Sequence, residues 1–119
     1  MSILVVDADP EIQTVLLETL VGEGHTAIAV SSGMEALNTA KDAPPYVVLL
    51  SLSLPDLDGP MVRERLRSLP GCATVPVIFL VTMYDVESST FGLPRGDDFV
   101  TKPLRLAELL LRLHALMLR

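Results

Sequence analysis

Short apolar runs alternate along the chain with stretches whose apolar positions recur every three to four residues. The runs are ILVV at 3–6, TAIAV at 26–30, YVVLL at 46–50, VPVIFLV at 75–81 and a weaker FV at 99–100. Strands that are apolar at almost every position are buried on both faces, as in a parallel sheet covered by helices. Five such runs separated by helical patterns predict an α/β fold, a doubly wound five-stranded parallel sheet with right-handed crossovers and helices on both faces.

The helices carry their own boundary signals. In DPEIQTVLLETLVGEG, Asp9 can cap, Pro10 suits the first helical position, and Ile12, Val15, Leu16 and Leu20 make an inward face that Gly22 and Gly24 bring to an end. Ser32 with Glu35 has the form of a capping box, opening a second helix through Met34, Ala36, Leu37 and Ala40 that Pro44 and Pro45 stop. Pro60 opens a third, with Met61, Val62, Leu66 and Leu69 inward and Pro70-Gly71 closing it. Residues 85–93 are poor in helix formers and include Gly92, so a short or partly irregular element is expected there.

At 119 residues the chain has the size of one domain, able to bury a core without metal or disulfide. With 50% hydrophobic and only 4% aromatic residues, that core is aliphatic. A formal charge of -6 without any Lys/Arg cluster argues against nucleic-acid binding by this domain. Cys72 is the single cysteine, which excludes an internal disulfide and a cysteine zinc site and fits a reducing cytosol. No signal-peptide core or run of 18 uncharged apolar residues is present, so a cytoplasmic chain without membrane attachment is expected. His25 and His114 lie in unrelated segments without ligand-like spacing and are assigned to a surface loop and a helix position.

In an open parallel sheet the functional crevice lies beyond the carboxyl ends of the strands, where strand order switches. Asp7 and Ala8 after the first strand, Ser51 after the third, Thr82 after the fourth and Lys102 after the fifth should converge there.

With ILVVDADP, SLSLPDLDG, FLVT and DDFVTKP in this order, the chain resembles the CheY-like receiver domains of two-component response regulators, over almost its whole length. The resemblance implies the flavodoxin-like strand order 2-1-3-4-5 and a single receiver-like domain over 1–119, compatible with the N-terminal part of a longer regulator. It also implies that Ser51 stands where such domains carry the aspartate that accepts a phosphoryl group, and that Asp7 and Ala8 stand where two acids help hold Mg²⁺. Thr82 and Lys102 match the residues that bind phosphoryl oxygens, and Met83 fills a position usually small. Phosphoryl transfer to a carboxylate needs an ionised oxygen and a divalent cation. Ser51 offers a hydroxyl with no neighbouring histidine base, and Asp7 alone is a poor Mg²⁺ site, with Asp9 a weak candidate occupied as a helix cap. No cofactor is therefore expected, and Mg²⁺ binding should be weak or absent. An Asp7–Lys102 ion pair is expected instead, with Thr82 or Ser51 as hydrogen-bond partners. On a plainer reading Ser51 is a small polar strand end bonded to a neighbour, and Pro55, Asp56, Asp58 and Gly59 build a loop with solvated acids.

Lys102-Pro103 is expected to be cis, as the resemblance implies. Phe99 matches a switch-like aromatic, and, lacking a hydroxyl, it is expected to stay buried. In the last helix Arg105, Glu108, Arg112 and Arg119 form a polar stripe and Leu106, Leu109, Leu113 and Leu116 face the sheet. Leu111 and Leu118 fall to the side, a candidate interface, and the resemblance implies pairing through the fourth and fifth helices. The function expected is signalling by contact with a sensor kinase, an output domain or a second copy, without enzymatic activity. The alternatives are a receiver modulated by phosphate at another residue, or a structural dimerisation module.

Overall fold

A computed structural model describes residues 2–88 and 98–118. The elements in chain order are β1 (Ile3–Val6), α1 (Pro10–Gly22), β2 (Ala27–Val30), α2 (Gly33–Asp42), β3 (Val47–Ser51), α3 (Gly59–Arg67), β4 (Val77–Val81), α4 (Met83–Ser88), β5 (Asp98–Thr101) and α5 (Leu106–Met117). The strands pair in the order β2-β1-β3-β4-β5, all parallel. Chain order reverses on the two sides of β1, which places the crevice beyond β1 and β3.

The period of two along each strand divides the core in half. Leu4, Val6, Val48, Leu50, Val77 and Phe79 meet Ala36, Leu37 and Ala40 of α2 and Val62 and Leu66 of α3 on one face. Ile3, Val5, Val47, Leu49, Ile78 and Leu80 meet Leu16 and Leu20 of α1 and Leu109, Leu113 and Leu116 of α5 on the other. Gly59 begins α3 where the chain doubles back over β3, and a Cβ there would stand 2.7 Å from the Ser51 carbonyl oxygen. That contact leaves room for no larger residue.

Caps fix the helix starts. Asp9 accepts from the Glu11 N–H at 2.9 Å and Asp58 from the Met61 N–H at 2.8 Å. At α2 the Ser32 hydroxyl accepts from the Glu35 N–H at 3.2 Å, and the Glu35 carboxylate faces that hydroxyl rather than a backbone N–H.

The inward faces are narrower than the sequence pattern suggests. Val15, Met34 and Met61 are exposed. Val15 and Met61 lie about 100° round their helices from buried Leu16 and Val62, beyond the stripe that one sheet face covers. Met34 sits in the first turn of α2, beside its cap. Of the stretch 85–93, residues 85–88 belong to α4 and the remainder lies outside the described residues. Arg119 of the polar stripe lies outside them as well. Lys102-Pro103 is cis.

Candidate functional site

The crevice is built where four strands end. Asp7 follows β1 directly and is 3% exposed, and Lys102 follows β5, brought inward as its N–H bonds the Val81 carbonyl at 2.7 Å. Lys102 Nζ meets Asp7 Oδ2 at 2.6 Å. Asp7 Oδ1 accepts from the Asp9 N–H at 2.9 Å, so both oxygens of this carboxylate have protein partners. Charge-assisted bonds of this kind are the strong ones. Thr82 and Ser51 do not join the pair as the sequence suggested. The Asp9 backbone does so because the chain turns at Ala8 and brings that N–H under Asp7.

Ser51, the last residue of β3, is 4% exposed, and its hydroxyl donates to the Ser53 carbonyl at 3.3 Å. Thr82 starts α4. Its hydroxyl accepts from the Asp85 N–H at 3.0 Å, while its own N–H donates to Asp85 Oδ2 at 2.8 Å, a reciprocal cap. The Ser53 hydroxyl reaches Asp85 Oδ1 at 3.3 Å and ties the β3–α3 loop to this cap. Ala8 is exposed and Met83 is half exposed, at the rim.

A hard cation such as Mg²⁺ needs carboxylate oxygens free to complete a near-octahedral shell. Asp7 has none unshared, Asp9 caps α1, and Ala8 and Ser51 bring no carboxylate. The Asp7 carboxylate is therefore the group that such an ion would have to share with Lys102. Among the described residues no group of three or more His, Cys, Asp or Glu side chains could hold a metal.

Phe99 is 44% exposed, contrary to the buried position expected of it. It shares a sheet face with its register partner Phe79. It lies on the edge strand, where the α2 and α3 cluster does not reach, while Val100 takes the inward place beneath α5. Leu111 and Leu118 are exposed as the helical projection requires, at 73% and 87%.

Three features of the site escaped the sequence. Gln13 Nε2 donates to the Asp7 carbonyl at 2.6 Å, to the Val30 carbonyl at 3.2 Å and to Ser31 Oγ at 3.0 Å, clamping the ends of β1 and β2. Asp56 is exposed but not merely solvated. Its carboxylate accepts from Gly33 N–H at 2.8 Å and Met34 N–H at 2.9 Å, bonding the β3–α3 loop to the start of α2. The Met34 and Gly33 N–H groups hold its carboxyl below the usual value. Asp85 closes the cap of α4, and T-x-x-D at 82–85 is the sequence signal that could have found it.

An open parallel sheet of this order, with an acid after its first strand and a lysine after its fifth meeting at the strand ends, defines the CheY-like class of α/β proteins. The sequence profile of the response regulator receiver domain matches residues 3–114, and the chain belongs to that family. It is a receiver domain of two-component signalling. It is 41% identical over 114 residues to the transcriptional regulatory protein KdpE of Mycobacterium tuberculosis, covering 95% of this chain and 49% of that protein. It is 38% identical to the DNA-binding response regulator MtrA of Mycolicibacterium smegmatis, with the same coverage. The chain thus spans about half the length of these relatives. The receiver domain of NtrX from Brucella abortus superposes with a TM-score of 0.85 at 26% identity, over 97% of both chains. The receiver domain of the sensor histidine kinase PA1611 from Pseudomonas aeruginosa, with a magnesium ion coordinated in its active site cleft, superposes at 0.83 and 25%, over 99% of this chain and 98% of that one.

Proposed function

We infer that this receiver domain works by protein contact and without taking a phosphoryl group, Ser51 standing in place of the acceptor aspartate and Ala8 in place of a metal acid. The supporting observation is the Asp7–Lys102 pair at 2.6 Å, which neutralises the cleft from within. Asp7, Ala8, Ser51, Thr82, Met83 and Lys102 then form a degenerate phosphorylation pocket. Its polar groups are engaged in holding the strand ends and α4 together.

Ser51 is not an enzymatic nucleophile on this reading. It has no base, since His25 and His114 lie at the opposite end of the sheet. The partner is a protein: a sensor kinase, an output domain or a second copy meeting the apolar side of α5 at Leu111 and Leu118. Among the described residues no helix is long and apolar enough to cross a membrane, and the charge of -6 disfavours nucleic acid.

The test is incubation with acetyl phosphate or beryllofluoride and Mg²⁺, followed by intact mass and amide spectra. An unchanged mass and spectrum are expected. A stable adduct, on Ser51 or on any other residue, defeats the reading and favours a receiver still modulated by phosphate. Sedimentation at two concentrations separates self-association, the dimerisation-module reading, from dependence on another protein.

A further inference from the structure

Two histidines meet at the end of the sheet remote from the Asp7 cleft. His25 follows the turn that closes α1, where Gly24 takes a φ of 87° and the His25 N–H bonds the Leu20 carbonyl at 3.0 Å. His114 lies on α5 next to Leu113, which packs in the same core half as Leu20. Their Nε2 atoms are 3.3 Å apart, their ring centroids 5.5 Å, with 43° between ring planes. At that separation one ring can donate to the other when a single Nε2 carries its proton.

We propose that His25 and His114 form a two-imidazole site for a borderline first-row divalent cation, with Zn²⁺ as the reference ion. A tetrahedral ion with metal–nitrogen bonds of about 2.0–2.1 Å holds two nitrogens about 3.3 Å apart, whereas right-angled ligands would stand about 2.9 Å apart. The observed separation is the tetrahedral one. The centroids of such a pair would stand about 5.2 Å apart, so binding requires both rings to tilt from their nearly head-on arrangement toward an ion off the line between the two Nε2 atoms.

The second nitrogen of His25 has a neighbour of its own. Its Nδ1 faces the Tyr46 hydroxyl at 3.5 Å. The tautomer with its proton on Nδ1, toward that oxygen, is the one that leaves the Nε2 lone pair to a cation. Among the described residues no third ligand completes the set, so water fills the remaining positions. Binding is moderate in strength. The net charge of -6 favours a cation. The pair joins residues 89 positions apart. A bound ion would clip the α1–β2 turn to α5, the helix that carries Leu111 and Leu118, without touching the cleft.

Titration of Zn²⁺ into the tag-free chain, with Mg²⁺ in excess to occupy oxygen sites, should show one ion per chain, a raised melting temperature and shifted histidine ring resonances. His25→Ala and His114→Ala should each keep the fold, by circular dichroism, and lose saturable binding. Binding that survives either replacement, an absence of binding at millimolar Zn²⁺, or a stoichiometry of one ion per two chains overturns the site as described. Asp7→Asn, which alters the cleft, should leave the titration unchanged.

Discussion

Replacing Lys102 with methionine keeps most of the side-chain volume and removes the charge that faces Asp7. At 2.6 Å and an effective dielectric of about 20, the direct attraction is about 6 kcal/mol, much of it offset by the desolvation of both ions. The net consequence is asymmetric. The Asp7 side chain is 4% exposed, so after the substitution Oδ2 would sit buried with its charge uncompensated. Removing one partner of a buried pair costs about 3–5 kcal/mol. The 18% exposure of the Lys102 side chain lets some water reach the site and points to the lower end, about 3 kcal/mol or a fall of about 10 °C in melting temperature. Urea unfolding should show a lower midpoint with an unchanged slope. Asp7→Asn should cost less, because the freed ammonium can turn to solvent and Asn keeps an acceptor for the Asp9 N–H. Asp7→Asn with Lys102→Met should then be little worse than Asp7→Asn alone. A loss below about 1 kcal/mol for Lys102→Met, or a double variant as unstable as the sum of the singles, would refute the argument that the cleft is closed by this pair.

Asp85→Ala removes the acceptor of the Thr82 N–H and of the Ser53 hydroxyl. A loss of about 1–2 kcal/mol is expected, with faster hydrogen exchange at the Thr82 amide. Asp56 has a folded pKa below its ordinary value, because the Met34 and Gly33 N–H groups favour the carboxylate. Its contribution is therefore complete above that ordinary value and is lost as pH falls through the folded one. The gap in urea midpoint between the native chain and Asp56→Asn should accordingly be widest near neutrality and shrink in acid. Gly59→Ala would set a methyl group 2.7 Å from the Ser51 carbonyl oxygen and 3.0 Å from Leu52 Cα. Thermal unfolding should show a loss of about 1–3 kcal/mol.

The sheet was legible because burial on both faces leaves strands apolar at every position, and ILVV and YVVLL state that without help from partners. Caps were legible for a similar reason, as Asp9 and Ser32 act within a few residues of themselves. Long-range polar bonds left no such trace. Nothing local in Gln13 says that its amide will span the ends of β1 and β2, and nothing in Asp56 that it will bind the start of a helix more than twenty positions earlier. His25 and His114 looked unrelated because spacing along the chain says nothing about a loop and a helix that packing brings together. Phe99 is exposed for another reason. Its burial depends on what covers the edge of the sheet, and the chemistry of the ring alone does not decide that.

The cleft residues bond mainly to one another. Asp7 is matched by Lys102 and the Asp9 N–H, Ser51 by the Ser53 carbonyl, and Thr82 by Asp85 through both its hydroxyl and its N–H. An anion entering there would have to draw Lys102 away from a buried carboxylate, and a cation would have to draw the carboxylate away from Lys102. Either ligand must repay the pair it breaks before it gains affinity, because a ligand shifts a structure only by the difference in its interaction with the two states. Further bonds connect the cleft to the elements around it, with Ser53 holding the β3–α3 loop to the cap of α4 and Asp56 holding that loop to α2. A protein that gripped α4 or the β3–α3 loop could therefore change the geometry of the cleft without any ligand entering it. In this chain the route from surface to cleft runs through side-chain bonds already made, which is what the proposed function requires of it.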